Sequence, residues 1–188
     1  SKSGERGIFN RVASQKQAAK WGRRDPSLNY GTNPCSEIIL RDRQFCNLTE
    51  VVIRENDTHS HLLEKVRVAT ILGTFQSTLD KFQFLSADWH KNTTEERLLG
   101  VSLTGIMDSK MMANPDPKFL EQMRDEARKT NEKYAKLLDV PVSAAISCIK
   151  PSGTVSQLAS CSSGIHSRHS PYYIRTVRTD KKDALYEF

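Results

Sequence analysis

The chain has 188 residues, enough for one domain or part of a larger one, with 37% hydrophobic residues and 28 Lys+Arg against 22 Asp+Glu. That apolar content is lean but above the disordered class; no apolar run approaches the roughly 20 residues that span a bilayer, and no charged-then-apolar leader opens the chain. We therefore expect neither a membrane protein nor secretion from this N-terminus, and the scattered basic residues behind the net charge of +6 read as solvated surface, without a nucleic-acid partner.

In chain order, a loop over residues 3–7 leads into a predicted helix over 8–21, followed by an irregular Pro- and Gly-punctuated segment over 23–34. Glu37-Ile38-Ile39-Leu40 and Glu50-Val51-Val52-Ile53 are β-branched runs that predict short strands. Leu62, Val66, Ala69, Leu72, Leu79 and Phe82 recur at helical intervals and predict a long amphipathic helix over 61–85. Thr93-x-x-Glu96 matches a capping box and predicts a second, deeply buried helix running towards Met112. Asp116 as N-cap and Pro117 in the first turn start a third, with Phe119, Leu120, Met123, Ala127, Tyr134, Leu137 and Leu138 on its inner stripe and Pro141 as its stop. A buried strand over 143–149, a short helix from Val155 and a strand over 172–177 complete the prediction. Strands alternating with long helices indicate α/β architecture. Several apolar faces lack a partner within the chain, so residues 1–188 are expected to be an internal fragment of one larger catalytic domain.

Asn33-Pro34-Cys35-Ser36-Glu37 holds an amide, a thiol and a carboxylate at alternate positions. In an extended backbone these three side chains project to one side, where a thiol can serve as nucleophile or hydrogen-atom carrier and a carboxylate as base. Spacing alone leaves open a plainer reading, with Cys35 as apolar filler, Glu37 as surface charge and Asn33 as turn residue. Cys46, eleven residues after Cys35, is either a second redox thiol or a core cysteine.

Pro151-Ser152-Gly153-Thr154 lies between a predicted strand and a helix start at Val155. Small residues there let backbone N–H groups approach an anion, although the Lys of a Walker A loop is missing. Cys161, His166 and His169 lack a fourth zinc ligand, and no metal site is expected. Cys148 reads as core, His59 and His61 as solvent-exposed, and Tyr172 and Tyr173 as strand residues. Four cysteines without a C-x-x-C pair fit a cytoplasmic protein.

Taken in order, Asn33-Pro34-Cys35-Ser36-Glu37, Phe45-Cys46-Asn47-Leu48 and Pro151-Ser152-Gly153-Thr154 resemble the catalytic core of ribonucleotide reductases. The flanks agree: Gly4-Glu5-Arg6-Gly7-Ile8-Phe9-Asn10-Arg11 upstream, and Ser163-Gly164-Ile165-His166 with Pro171-Tyr172-Tyr173-Ile174-Arg175 downstream. The short interval between the two cysteines is most similar to class II, the adenosylcobalamin-dependent ribonucleoside-triphosphate reductases. The resemblance implies part of a ten-stranded α/β barrel whose central finger loop carries the radical cysteine. It implies that Cys35 is the thiyl radical that takes the 3′ hydrogen of the ribose, that Glu37 accepts the 3′-hydroxyl proton and that Asn33 hydrogen-bonds the substrate. Cys46 would be one half of the redox pair, and Pro151 through Val155 would cradle substrate phosphate.

A thiyl radical further requires a dry, enclosed site. The implied partners are a ribonucleoside triphosphate, adenosylcobalamin held largely by residues outside this chain, a thioredoxin-type dithiol and the remainder of the enzyme, including the second redox cysteine and the effector-binding region. Two other readings stay open: a class I large subunit acting on diphosphates, and a non-catalytic nucleotide-binding module built on residues 151–155.

Overall fold

A computed structural model describes residues 7–174, 176 and 178–186. The predicted loop over 3–7 lies outside them but for Gly7, as do residues 4–6 of the upstream flank and Arg175 of the downstream one. Helix α1 covers Arg11–Ala19, capped by the Asn10 side chain, which accepts from the Ala13 N–H. Strands β1 (Tyr30–Thr32) and β2 (Ile39–Arg41) form an antiparallel hairpin with Thr32 opposite Ile39. Strand β3 (Asn47–Val52) leads into α2 (His59–Gln76) and α3 (Ala87–Glu96), and the chain returns as β4 (Leu99–Thr104), parallel to β3 with Asn47 opposite Leu99. A single turn, α4 (Lys110–Ala113), precedes the long α5 (Pro117–Leu137), and α6 (Val155–Leu158) is again one turn.

The parallel pair has two unlike faces, because alternate strand residues point to opposite sides. Val51, Val101 and Leu103 pack with Leu62, Val66 and Ala69 of α2 and with Phe119, Met123 and Ala127 of α5. Leu48, Glu50, Gly100, Ser102 and Thr104 fall on the opposite face, and the hairpin lies over it. A Cβ on Gly100 would collide with Leu48 and come within 3.1 Å of Cys148 Sγ and 3.3 Å of Ile38 Cδ1, so the bare backbone there lets the hairpin settle on the sheet.

Helix α5 matches its prediction: Asp116 accepts from the Lys118 N–H, Pro117 occupies the first turn, and Phe119, Met123 and Ala127 are buried, although Leu120 and Leu137 are exposed. The other long elements are corrected. The helix predicted over 61–85 ends at Gln76, where Ser77 and Thr78 hydroxyls donate back to the Thr74 and Phe75 carbonyls and compete with its continuation; Leu79 is left exposed.

The helix predicted from Thr93 does not form. Thr93 and Glu96 instead end α3, and Arg97 stops it in the left-handed region at φ 41°. The Thr93 hydroxyl accepts from the Phe45 N–H and Glu96 pairs with Arg24, so neither is free for a capping box. The apolar run that follows is a strand buried on both faces, whose sequence cannot be told from a buried helix by periodicity.

Residues 143–149 run beside β4 but join it only through the Val101–Ser147 bridge and neighbouring backbone hydrogen bonds. No strand forms over the described part of 172–177, of which 175 and 177 lie outside the described residues. Among the described residues the chain is thus an α/β unit of two two-stranded sheets. No helix among them is long and apolar enough to cross a membrane.

Buried Asn131 couples α5 to the rest: its Oδ1 accepts from the Ser143 N–H at 2.9 Å, and its Nδ2 donates to Thr74 Oγ1 and Ser143 Oγ, each at 3.0 Å. Each buried polar group left unpaired costs about 1–3 kcal/mol. Asn131→Leu, which strands the Ser143 N–H among others, is expected to lower the unfolding free energy in urea by about 2 kcal/mol or more; an unchanged denaturation midpoint would contradict this role.

Candidate functional site

The hairpin tip carries the predicted centre, but not as an extended strand. The Ser36 N–H donates to the Asn33 carbonyl at 2.9 Å and Ser36 sits at φ 65°, so Asn33-Pro34-Cys35-Ser36 is a tight turn with Pro34 at the position whose fixed φ suits it. Asn33 closes the loop, its Oδ1 accepting from the Ile38 N–H at 3.0 Å. The three side chains therefore do not alternate along a strand. Cys35 is exposed at the tip, without the enclosure expected for it, whereas the Glu37 side chain is only 4% exposed.

Buried polar contacts hold the hairpin in place. Arg24 pairs with Glu96 at 2.9 Å, both side chains nearly fully buried, donates to the Ile39 carbonyl at 3.0 Å and lies 4.7 Å over the Tyr30 ring. Gln44 donates to Glu96 Oε2 at 2.6 Å and accepts from the Arg41 N–H at 2.8 Å. Phe45 stacks between Phe82 and Trp89, with ring centroids at 5.1 and 4.6 Å. Together these fix both legs of the hairpin against the end of α3.

Glu37 Oε1 accepts from Lys150 Nζ at 2.9 Å, while Glu37 Oε2 is buried without a hydrogen-bond partner among the described residues. Burial pushes the Glu37 carboxyl up, but the Lys150 ammonium, its own backbone amide and the Asn33 side chain bring it below the ordinary carboxylate range. The same contact raises Lys150. Burial, then the Glu37 charge, pushes the Cys46 thiol up; burial, then Glu37 and Cys46, pushes Cys148 up to about 12. The Glu37–Lys150 pair thus sits within electrostatic reach of three thiols, since Lys150 also senses Cys35.

The fold brings together Asn33, Cys35, Glu37 and Cys46, and adds Lys150 and Cys148. Neither addition carried a sequence signal through a motif. A usable one existed in the polar residues at alternate positions, Cys148, Lys150 and Ser152, along a segment running beside Ser102 and Glu50. Lys150 is anchored there by its own N–H, which donates to Ser102 Oγ at 2.8 Å.

The loop predicted to cradle phosphate follows directly. Ser152 is buried at φ 55° and its hydroxyl is engaged by the Glu50 carboxylate. Gly153 lies against His166, where a Cβ would come within 2.9 Å of Cε1. Thr154 makes no side-chain cap and Val155 opens a helix of a single turn, so a long helix dipole does not back this loop. Beside it, Gly153, Cys161, His166, Arg168 and His169 line a cavity of about 530 Å³. Cys161 donates to the Ser156 carbonyl, and no three His, Cys, Asp or Glu side chains are grouped as metal ligands among the described residues.

No protein-family model matches the chain. A probable adenosylcobalamin-dependent ribonucleoside-triphosphate reductase of Dictyostelium discoideum is 31% identical over 162 residues, which is 82% of this chain and 20% of that protein. The Levilactobacillus brevis adenosylcobalamin-dependent ribonucleoside-triphosphate reductase is 27% identical over 216 residues, 97% of this chain and 28% of its own length. The chain is similar to these reductases over most of its own length. It spans between a fifth and just over a quarter of their length. The fold is similar to the crystal structure of a B-12 dependent (class II) ribonucleotide reductase, with a TM-score of 0.57 and 24% identity over 72% of this chain and 22% of that one. That likeness extends the α/β relationship to three dimensions over the same kind of partial span.

Thiol chemistry tests the geometry. Near pH 8 a thiol with a pKa of about 12 is ionised to roughly one part in ten thousand, and alkylation needs the thiolate. Iodoacetamide is expected to label exposed Cys35 first in the folded chain and Cys148 last, as read by peptide mass spectrometry. Equal rates at the two would contradict the arrangement.

Proposed function

We propose that this chain is an internal part of the catalytic domain of an adenosylcobalamin-dependent ribonucleoside-triphosphate reductase, and that its hairpin is the finger loop bearing the radical thiol. One observation carries the reading: a thiol stands free at the tip of a rigidly anchored turn, two residues from a buried carboxylate that has one oxygen unclaimed. The apolar side chains left in the open, among them Ile8, Phe84, Leu158 and Ile174, fit a segment that packs inside a larger protein.

In this reading the Cys35 thiyl takes the 3′ hydrogen of the bound ribose. Glu37 Oε2 accepts the 3′-hydroxyl proton, and ionisation of Glu37 at neutral pH makes it ready to do so. Asn33, whose Oδ1 is spent on the loop, stands beside Glu37 with its side-chain amide, where it would hydrogen-bond the substrate. Cys46 stays protonated as its raised pKa dictates and supplies one of the two thiols that reduce the 2′ position; the other lies outside this chain. Gly153, Thr154 and Val155 border the triphosphate, with Pro151 and Ser152 setting the loop's shape through the Glu50 contact.

Adenosylcobalamin, when bound, supplies radical chemistry by cobalt–carbon homolysis. The residue here that fits it is Cys35, exposed as a hydrogen-atom donor to such a group must be. Since a thiyl radical needs water excluded, the rest of the full-length protein has to close over the hairpin tip. A thioredoxin-type dithiol in the cytoplasm would restore the reduced thiols.

The test is Cys35→Ser in the full-length protein, supplied with ribonucleoside triphosphate, adenosylcobalamin and a dithiol. Deoxynucleotide formation is expected to fall to background with nucleotide binding unchanged, because the serine O–H bond is too strong for the same exchange. Retained turnover overturns the radical role of Cys35. Nucleotide binding without deoxynucleotide formation by the unaltered protein would favour a non-catalytic nucleotide-binding module.

A further inference from the structure

The Glu37–Lys150 contact goes beyond the roles assigned above. Lys150 precedes the Pro151 turn, and three features immobilise its backbone. Its N–H donates to buried Ser102 Oγ at 2.8 Å on the sheet. Gly164 packs so closely on its carbonyl that a Cβ there would collide with it. The Gly164 N–H donates to the next carbonyl, that of Pro151, at 3.0 Å. From this fixed base the side chain reaches back to Glu37 Oε1 at 2.9 Å, 24% exposed against 4% for the carboxylate. Glu37 Oε2 is thereby left as a buried acceptor with nothing to accept. An unsatisfied buried carboxylate oxygen is costly and marks a place where a ligand group is due.

We propose that Lys150 is a positioning residue for the reductase reaction: it clamps Glu37 by Oε1, so that Oε2 is presented to the hydroxyl of the substrate ribose. The inference rests on the radical-reductase reading. It assigns Lys150 a task that a surface lysine would not have, since one side chain ties the base on the hairpin to the loop that borders the triphosphate. A hydroxyl arriving at Oε2 fills the missing hydrogen bond, and a carboxylate held at two points has little freedom to reorganise during proton transfer.

Several titratable groups face Glu37. Cys35 shares its loop, Cys46 precedes β3, and Cys148 lies two residues before Lys150. Across the cleft on its other side stand Lys20, Arg23, Arg24, Arg124, Arg128 and Glu132. Among these, Lys150 is the cation in direct contact with the carboxylate. Loss of that contact removes the Lys150 ammonium and leaves the Glu37 backbone amide and the Asn33 side chain as the groups that oppose burial, which shifts Glu37 towards the protonated acid.

The test uses the full-length protein with Lys150→Met and Lys150→Arg, read by the pH dependence of kcat/KM and by a ¹³C titration of the Glu37 carboxyl identified against Glu37→Gln. Lys150→Met is expected to move both the acid limb of the rate profile and the carboxyl titration to higher pH, and to lower kcat/KM by about tenfold or more near neutrality. Lys150→Arg, which keeps the charge and two donors, is expected to restore the pH profile. Adding Lys150→Met to Glu37→Gln should bring little further loss. An unmoved carboxyl titration in a folded Lys150→Met protein overturns the proposal. Should the unaltered protein form no deoxynucleotide while the titration still moves, the clamp stands and the reductase reading falls.

Discussion

A part-buried ion pair joins residues 113 positions apart, and the site is organised around it. Glu37 lies on the hairpin, Lys150 on the segment that runs beside β4, and their contact at 2.9 Å brings the two together on one face of the parallel pair. Taking two charges out of water costs several kcal/mol per ion, repaid only when geometry and further hydrogen bonds are good. Here one carboxylate oxygen is paired and the other is not. A fold selected only for stability would satisfy both or bury neither. Its persistence depends on the second buried pair, Arg24–Glu96, which with Gln44 holds the hairpin against α3 whether or not Glu37 is satisfied.

The same pair adds to the effect of burial on the thiols around it. Burial first, and then the nearby Glu37 carboxylate, disfavours the thiolate, so Cys46 and Cys148 are held as neutral thiols. Neutral thiols are poor nucleophiles and poor metal ligands but still carry a hydrogen atom. Cys46 and Cys148 are therefore ill suited to nucleophilic attack. Cys35, outside the pocket, is the thiol open to contact from elsewhere.

Much of this was legible in the residues, and the failures have definite causes. Asp116-Pro117 and the stripe of α5 announce a helix through local chemistry that tertiary contacts do not override. The run from Leu98 to Leu103 misled because a strand buried on both faces shows no alternation, and the box-like Thr93 and Glu96 serve long-range partners, Phe45 and Arg24. At the hairpin tip, Asn33-Pro34 was a turn signal, and reading the segment as extended overlooked it. That Glu37 and Cys46 lie near each other was still foreseeable from motif order, whereas Cys35 stands exposed at the tip. Lys150 had only the alternation of Cys148, Lys150 and Ser152 to mark it, and a lysine acquires meaning only when the fold sets it against a buried carboxylate.

The account turns on Cys35 and Glu37 meeting the same sugar. The most direct check is a crystal structure of the full-length protein with a ribonucleoside triphosphate bound. It should show a ribose hydroxyl at hydrogen-bond distance from Glu37 Oε2, with Cys35 Sγ beside the ribose and closed off from solvent. A nucleotide bound elsewhere, with Cys35 still facing water, would contradict it.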